Sequence, residues 1–546
     1  MTGTQAAFEG FEEAPARTGE IAGVLVDVDL AHLDRPLDYA VPEELSGGAQ
    51  VGRLVRVTLA GSRANGWIVS RRRGPIGARM AAVERVVSDL PVTTPAQLEL
   101  ASRIALRFLA TSSQVLSVAV PARHARAERA VIADLDFPGA PAIAVTTELA
   151  EAVRGADFVF SAIRVGGAHG RVVDERVALD RGVLGQETVG VGGYAYAFRT
   201  VPAAMELARA VRDLAPDAWV INFTNPAGII TQAMRTLLGE RVVGICDTPI
   251  GLVHRVAAAL GLDEGRAGTA DGGELDFDYV GLNHLGWLRS LSTAGSDRLP
   301  GLLASDEALC RIEEARVLGP DWVRALGMLP NEYLFYYYLN RESVARIRRE
   351  DLTRGEFLER QQGAFYDAVE REPGRAGDLW TRVHRQREAT YMAETRRPGE
   401  RDRRREEDLA GGGYQQVALD LMTAVSTGAP ARMILDVGNA QDHSGNSAGL
   451  LVPQLREDAV VEVPCVVDAD GVHPQRVGRL QGAELGLVST VKGCEELVID
   501  AALSGDLTLA WRALAAHPLV DSVRVARRIL DGYLRSSPEV ARVFGR

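Results

Sequence analysis

Between residues 143 and 246, short apolar runs alternate with helical segments, which restricts this part of the chain to a parallel sheet wrapped by helices. Ile143-Ala144-Val145 reads as a strand, and Thr146 or Thr147 caps a helix over 148–154. An apolar strand follows over 157–163. Pro202 suits the first turn of a helix over 202–214. A buried strand over 218–222, a helix over 227–237 and a strand over 241–246 complete the order. Residues 300–546 read as mostly helical. Their charged stretch at 396–408 mixes both signs, as a solvated face does.

Upstream the pattern differs. Residues 1–20 read as a disordered leader. Short strands over 23–28, 36–42, 53–57 and 66–70, with Gly, Asn and Ser in their turns, predict a small β-barrel. Apolar residues near a 3.6 period predict a helix over 95–109. The expected fold class is α/β: a truncated Rossmann-like doubly wound sheet over 143–295, a mostly helical α+β C-terminal domain over 296–546, and a small β-barrel-like domain over 21–130 before them. Residues 131–142 form the expected junction.

Composition removes several functions. At 546 residues the chain needs two or three domains. Its 61 Lys+Arg against 73 Asp+Glu give a net charge of −12, which argues against general nucleic-acid affinity. No apolar run is long enough for a membrane span, and the acidic N-terminus lacks the apolar core of a secretory signal. Cys246, Cys310, Cys465 and Cys494 are too sparse for a disulfide scaffold, so a cytoplasmic protein is expected. Lys492 is the only lysine and no Gly-rich loop precedes it. That excludes a Walker-type ATPase, and it excludes Schiff-base chemistry on any other residue.

Two resemblances follow from longer motifs. Val24-Leu25-Val26-Asp27-Val28, Leu37-Asp38-Tyr39-Ala40-Val41-Pro42 and Val120-Pro121-Ala122-Arg123-His124 resemble the N-terminal DNA-binding domain of the replication-restart helicase primosomal protein N′. The resemblance implies a pocket for a DNA 3′ end, with Asp38 in it; by itself Asp38 reads as a turn cap. The second resemblance spans residues 143–546. Ile163-Arg164-Val165-Gly166-Gly167, Gly182-Val183-Leu184-Gly185-Gln186-Glu187-Thr188 and Asn222-Phe223-Thr224-Asn225-Pro226 come first. Gly244-Ile245-Cys246-Asp247-Thr248-Pro249, Gly281-Leu282-Asn283-His284 and Leu329-Pro330-Asn331-Glu332-Tyr333-Leu334 follow. In this order they resemble glycoside hydrolase family 4, the NAD- and divalent-metal-dependent 6-phospho-glucosidases.

Cys246 lies just past a strand end, where open α/β sheets bind ligands, and His284 follows another apolar strand. Thiolate and imidazole make a metal pair that leaves positions for substrate. Softness favours zinc, whereas the resemblance implies manganese. It further implies Tyr333 as catalytic base, Asp247 as the acid, Arg171, Asn225 and Arg354 as substrate-binding residues, and Asn222 as a cofactor-binding residue. A phenol needs nearby positive charge to act as a base at neutral pH. The implied reaction is oxidation, elimination and addition rather than two-carboxylate displacement. Its substrate would be a phosphorylated disaccharide or glucoside, with the β-linkage favoured and Asp247 keeping the α-linkage open. A homo-oligomer is the expected assembly.

One departure stands out. The family's opening strand, Gly-rich loop and helix, which cradle the NAD pyrophosphate, have no counterpart before residue 143. Gly190-Val191-Gly192-Gly193-Tyr194-Ala195 fits G-x-G-x-x-A, but no strand precedes it, so it is rejected as a dinucleotide fingerprint. The expectation is a head-truncated glycosidase with an uncovered sheet edge, joined to a motorless helicase head. The alternative reading is a DNA 3′-end-binding fragment without helicase activity.

Overall fold

The computed structural model describes residues 17–27, 35–59, 61–77, 80–87, 144–262, 275–396, 404, 413–440 and 449–546. The helix expected over 95–109, the junction over 131–142 and most of the leader lie outside them, as does most of the charged stretch. The chain divides into two compact units, Met1–Glu148 with Tyr366–Leu379, and Leu149–Phe365 with Trp380–Arg546.

The first unit holds five antiparallel strands: β1 (Arg17–Val26), β2 (Leu37–Ala40), β3 (Leu54–Leu59), β4 (Ser62–Ile76) and β5 (Val83–Val86), in the order β2-β1-β4-β3-β5. Alternate residues Ala22, Val24, Val26, Val55 and Val57 form its core with Ile68. The expected barrel is instead an open sheet. Its edge strands meet at one bridge, Ala40 with Ala82. β2 and β5 have only four residues each, and prolines at 36 and 42 bracket β2, so no ladder can close the gap.

The second unit is built on one large sheet. Its strands are β6 (Phe158–Ser161), β7 (Trp219–Asn222), β8 (Val242–Ile245), β9 (Asp276–Leu282), β10 (Leu285–Thr293), β11 (Ser296–Asp297), β12 (Leu329–Pro330), β13 (Ala431–Gly438), β14 (Val460–Asp468) and β15 (Gly471–Pro474). The main order is β11-β10-β9-β14-β13-β8-β7-β6, with β12 on β10 and β15 on β14. β6, β7 and β8 run parallel, as the Rossmann-like reading requires; the other pairings are antiparallel. Both faces of the parallel part are buried. Val220 and Val242 face one core with the helix Val191–Leu214, and Ile221, Val243 and Ile245 face another around Trp287.

Three sequence expectations change here. Ala144 and Val145 lie outside any strand; Ile143 is not among the described residues. The helix assigned to start at Pro202 begins at Val191, so Pro202 sits inside it. Burial of Tyr194, Tyr196 and Phe198 drives its first turns and outweighs the hydrogen bond that proline removes. The C-terminal half also contributes β13 and β14, which lie between β8 and β9. Their runs, Met433-Ile434-Leu435 and Val460-Val461-Glu462-Val463, are apolar on both faces, as central strands are, and so lack the alternation that reveals a strand in sequence.

At the other end, β6 pairs with β7 alone among the described residues, and Phe160 is 45% exposed on that edge. No helix of the described residues is long and apolar enough to cross a membrane.

Candidate active site

Strand β8 delivers Cys246 just past its last residue, and the helix Thr248–Ala259 starts there with Pro249 in its first turn. The β9–β10 hairpin delivers His284. Leu282 pairs with Leu285, so Asn283 and His284 are the turn. His284 has φ 63°, a left-handed conformation that turns usually give to Gly or Asn. Such a conformation costs about 1–3 kcal/mol and persists only where the surroundings hold it.

The result is a buried sulfur–nitrogen pair. Cys246 Sγ lies 3.5 Å from His284 Nε2, with both residues at most 3% exposed. Burial pushes the His284 imidazole down to about 3 against the pull of Glu187, so it is neutral and keeps a lone pair for a metal. Burial also pushes the Cys246 thiol up, while Thr248 Oγ1, 3.3 Å away, opposes that shift. A divalent cation fits this donor set and would favour the thiolate. Among the described residues no third His, Cys, Asp or Glu joins the pair.

Tyr333 stacks on the imidazole, with ring centroids 3.8 Å apart and 16° between the planes. Its backbone N–H donates to Asn331 Oδ1 at 3.1 Å, and Asn331 Nδ2 donates to Thr248 Oγ1 at 2.8 Å. The tyrosine turn is thereby tied to the helix behind Cys246. Burial and neighbouring Glu332 push the phenol well above its ordinary value, and the Tyr391 hydrogen bond pulls it down. The Tyr391 hydroxyl sits 2.8 Å from both the Tyr333 hydroxyl and Glu332 Oε1.

Two cavities share Tyr391 in their linings. One, of about 450 Å³, is lined by Tyr333, Arg171, Arg354, Glu187 and Thr390. Its arginines differ. Glu187 and Glu175, each 2.7 Å from Arg171, hold that guanidinium charged against burial. Arg354 instead donates to Thr390 Oγ1 at 2.6 Å and to the Arg387 carbonyl at 3.1 Å, and burial lowers it, with Arg171 adding to the shift. The other cavity, of about 620 Å³, is lined by Asp247, Glu332, Arg255, Arg404, Tyr391 and Tyr414. Burial raises the Asp247 carboxyl, which favours the protonated form that an acid needs.

Asn222 and Asn225 lie at the end of β7. Asn222 is fully buried, and its amide is used within the turn: Nδ2 reaches Thr224 O, Ala227 O and Thr231 Oγ1, and Oδ1 accepts from Thr224 N. Asn225 is half-buried beside it. Asp38 lies in β2 rather than at a turn, with its carboxylate on Arg72. Gly192 and Gly193 serve packing. A Cβ on them would lie 2.3 Å from Gln186 O and 2.6 Å from Thr188 O. The sequence reading assigned no role to Glu187, Glu332 or Asn331, although all three stand inside quoted motifs. Tyr391 carried no signal, because it comes from the end of a separate helix.

The model for the family 4 glycosyl hydrolases matches residues 129–262, and that for their C-terminal domain matches 279–520. A maltose-6′-phosphate glucosidase of Bacillus subtilis is 30% identical over 411 residues, covering 72% of this chain and 82% of the relative. The chain belongs to glycosyl hydrolase family 4. A 6-phospho-beta-glucosidase of Escherichia coli is also 30% identical, over 70% of this chain and 78% of its own length. The 6-phospho-beta glucosidase of Thermotoga maritima, solved with manganese, NAD+ and glucose-6-phosphate, superposes with a TM-score of 0.56 at 26% identity, covering 72% of this chain and 84% of that one. Residues 23–121 match a different model, a 3′DNA-binding domain.

Burial alone would raise the Glu187 carboxyl, but Arg171 and Arg164 outweigh it and hold it at about 2. A carboxylate depressed in the fold contributes stability that is complete above its unfolded value and lost as pH falls towards 2. Glu187→Gln should therefore destabilise by about 3 kcal/mol near neutrality, and the deficit should shrink below about pH 4.5. Urea unfolding of both proteins across that range checks it; a deficit that does not change with pH would contradict it.

Proposed function

We propose that this family 4 chain hydrolyses 6-phosphoglucosides, with β-linked substrates preferred and α-linked ones open to it through Asp247. The supporting observation is the convergence of Cys246, His284 and Tyr333 beside a cavity that carries Arg171 and Arg354. A divalent cation, manganese by analogy with the solved relatives, would be held by Cys246 and His284 and would supply Lewis acidity to sugar oxygens. Arg354 and Arg171 bind the phosphate and hydroxyl oxygens through paired N–H groups, and Asn225, in the turn after β7, is proposed as a further substrate contact. Tyr333 is placed to accept a ring proton of the sugar, and a cation held by Cys246 and His284 would lower its phenol. Asp247, which lines the neighbouring cavity with Tyr391, gives its proton to the leaving oxygen, and water adding to the double bond left by elimination completes the hydrolysis. Asn222 acts by shaping the turn that presents Asn225.

The described residues do not fit the pyrophosphate of a dinucleotide. No strand, Gly-rich turn and helix stand beside β6 among them, and the glycines at 192 and 193 are packed against backbone. Residues 21–130 are proposed as a separate module, with domain boundaries at 131–142 and near 295. For that module, binding of a DNA 3′ end near Asp38 is the second reading, favoured by the matched DNA-binding model.

Cys246→Ser and His284→Ala should each abolish metal-dependent turnover, and 6-phosphoglucosides should be cleaved where unphosphorylated glucosides are not. Paired assays of p-nitrophenyl 6-phospho-α- and β-glucosides, with metal content measured on each variant, check both. Full metal content in both variants would remove the donor assignment.

NAD should bind at least tenfold more weakly than to the Thermotoga relative, a loss of about 1.4 kcal/mol or more. Calorimetric titration of both proteins measures this, and equal affinities would refute the missing cradle.

Fluorescence anisotropy with a 3′-recessed DNA should show salt-dependent binding that weakens in Asp38→Ala. No binding at low salt would dismiss the second reading.

A further inference from the structure

Behind the sulfur–nitrogen pair lies a cluster of buried ionisable groups that the proposed reaction does not use. Asp436 on β13, Glu462 on β14, and Lys492 and Glu495 on the helix Gly482–Ser504 are each at most 7% exposed. Sheet register sets Asp436 opposite Glu462, Asp436 opposite Gly244 of β8, and Glu462 opposite Gly281 of β9. Gly244 leaves room for the acid: a Cβ there would lie 2.6 Å from Asp436 Oδ2. Lys492, the chain's only lysine, donates to Gln232 Oε1 at 3.0 Å and pairs with Glu495 at 2.5 Å. Its charge stabilises the Asp436 carboxylate against burial.

Within this cluster Glu462 has two specific bonds. Its Oε1 accepts from Asn283 Nδ2 at 3.1 Å, and its Oε2 accepts from the Tyr279 hydroxyl at 2.9 Å. Tyr279 is in β9 and Asn283 is the first residue of the turn whose second residue is His284. The carboxylate therefore bridges the strand and the turn that presents the imidazole. A buried carboxylate is costly, and an apolar side chain of similar volume is often no less stable. One of its bonds reaches, and the other backs, the turn in which His284 is held at φ 63°.

We infer that Glu462 is a positioning residue for the metal site, clamping Asn283 and Tyr279 so that His284 is held in its left-handed conformation facing Cys246. This rests on the reading of Cys246 and His284 as the metal donors. Asp436, Lys492 and Glu495 act one step further back, as the charge environment of the clamp.

The test titrates manganese(II) alone into the wild-type full chain and into Glu462→Ala, Glu462→Gln and Asn283→Ala. Glucose 6-phosphate is titrated separately without metal, and circular dichroism monitors folding. Glu462→Ala and Asn283→Ala should weaken manganese binding about tenfold or more, while glucose 6-phosphate binding stays at the wild-type level. Glu462→Gln, which keeps an acceptor for Asn283, should recover most of the affinity. If Glu462→Ala fails to fold, Asn283→Ala removes the same bond from the turn side and decides. Wild-type manganese affinity in the folded variants overturns the clamp and leaves the metal reading standing. Equal loss of manganese and glucose 6-phosphate binding also overturns it, since that is general destabilisation. A wild-type chain that takes up no manganese overturns the metal reading, and the clamp with it.

Discussion

The site depends on the register of one sheet. Cys246 and His284 belong to strands that are not neighbours: β8 is separated from β9 by β13 and β14. The two donors can approach to 3.5 Å only because both intervening strands hold their alignment, Leu435 with Ile245 on one side and Glu462 with Gly281 on the other. A slip of one residue would turn every side chain on the moved strand to the other face. The continuous burial of β13 and β14, with Met433, Ile434, Leu435, Val461 and Val463 all in the core, and the pairing of Asp436 and Glu462 within it penalise such a slip. Packing energy is thus what fixes the geometry of a polar site.

Around that pair, the chain separates chemical roles by environment. Tyr333 lies against the imidazole, and Tyr391 connects it to Glu332 at 2.8 Å on each side. The cavity with Arg171 and Arg354 and the cavity with Asp247 both take Tyr391 as part of their lining. Burial favours neutral forms of both His284 and Asp247. Glu187 remains ionised only because two guanidiniums surround it.

Much of the parallel core was legible in sequence. β6, β7 and β8 fall within the apolar runs assigned to them, and Cys246 was placed at a strand end because the apolar run 241–246 reads as a strand of an open α/β sheet. The motif residues Tyr333 and His284 were legible as a pair only through resemblance, since spacing gives no hint that they stack. β13 and β14 were hidden, because central strands buried on both faces do not alternate. The Glu462 contacts were hidden for a deeper reason: they cross 179 and 183 residues of chain and depend on register, which no local pattern encodes. The Pro202 misreading shows the opposite error, a valid local rule overruled by the burial of Tyr194, Tyr196 and Phe198 upstream.

The central claim is that a thiolate and an imidazole from two separated strands form one metal site. Cobalt(II) titration reads this directly, because a cysteine ligand gives a thiolate-to-cobalt charge-transfer band in the near ultraviolet. The account predicts that the band saturates at one cobalt per chain, disappears in Cys246→Ser, and fails to develop in His284→Ala. Cobalt bound at that stoichiometry without the band, or with the band unchanged in Cys246→Ser, would contradict it.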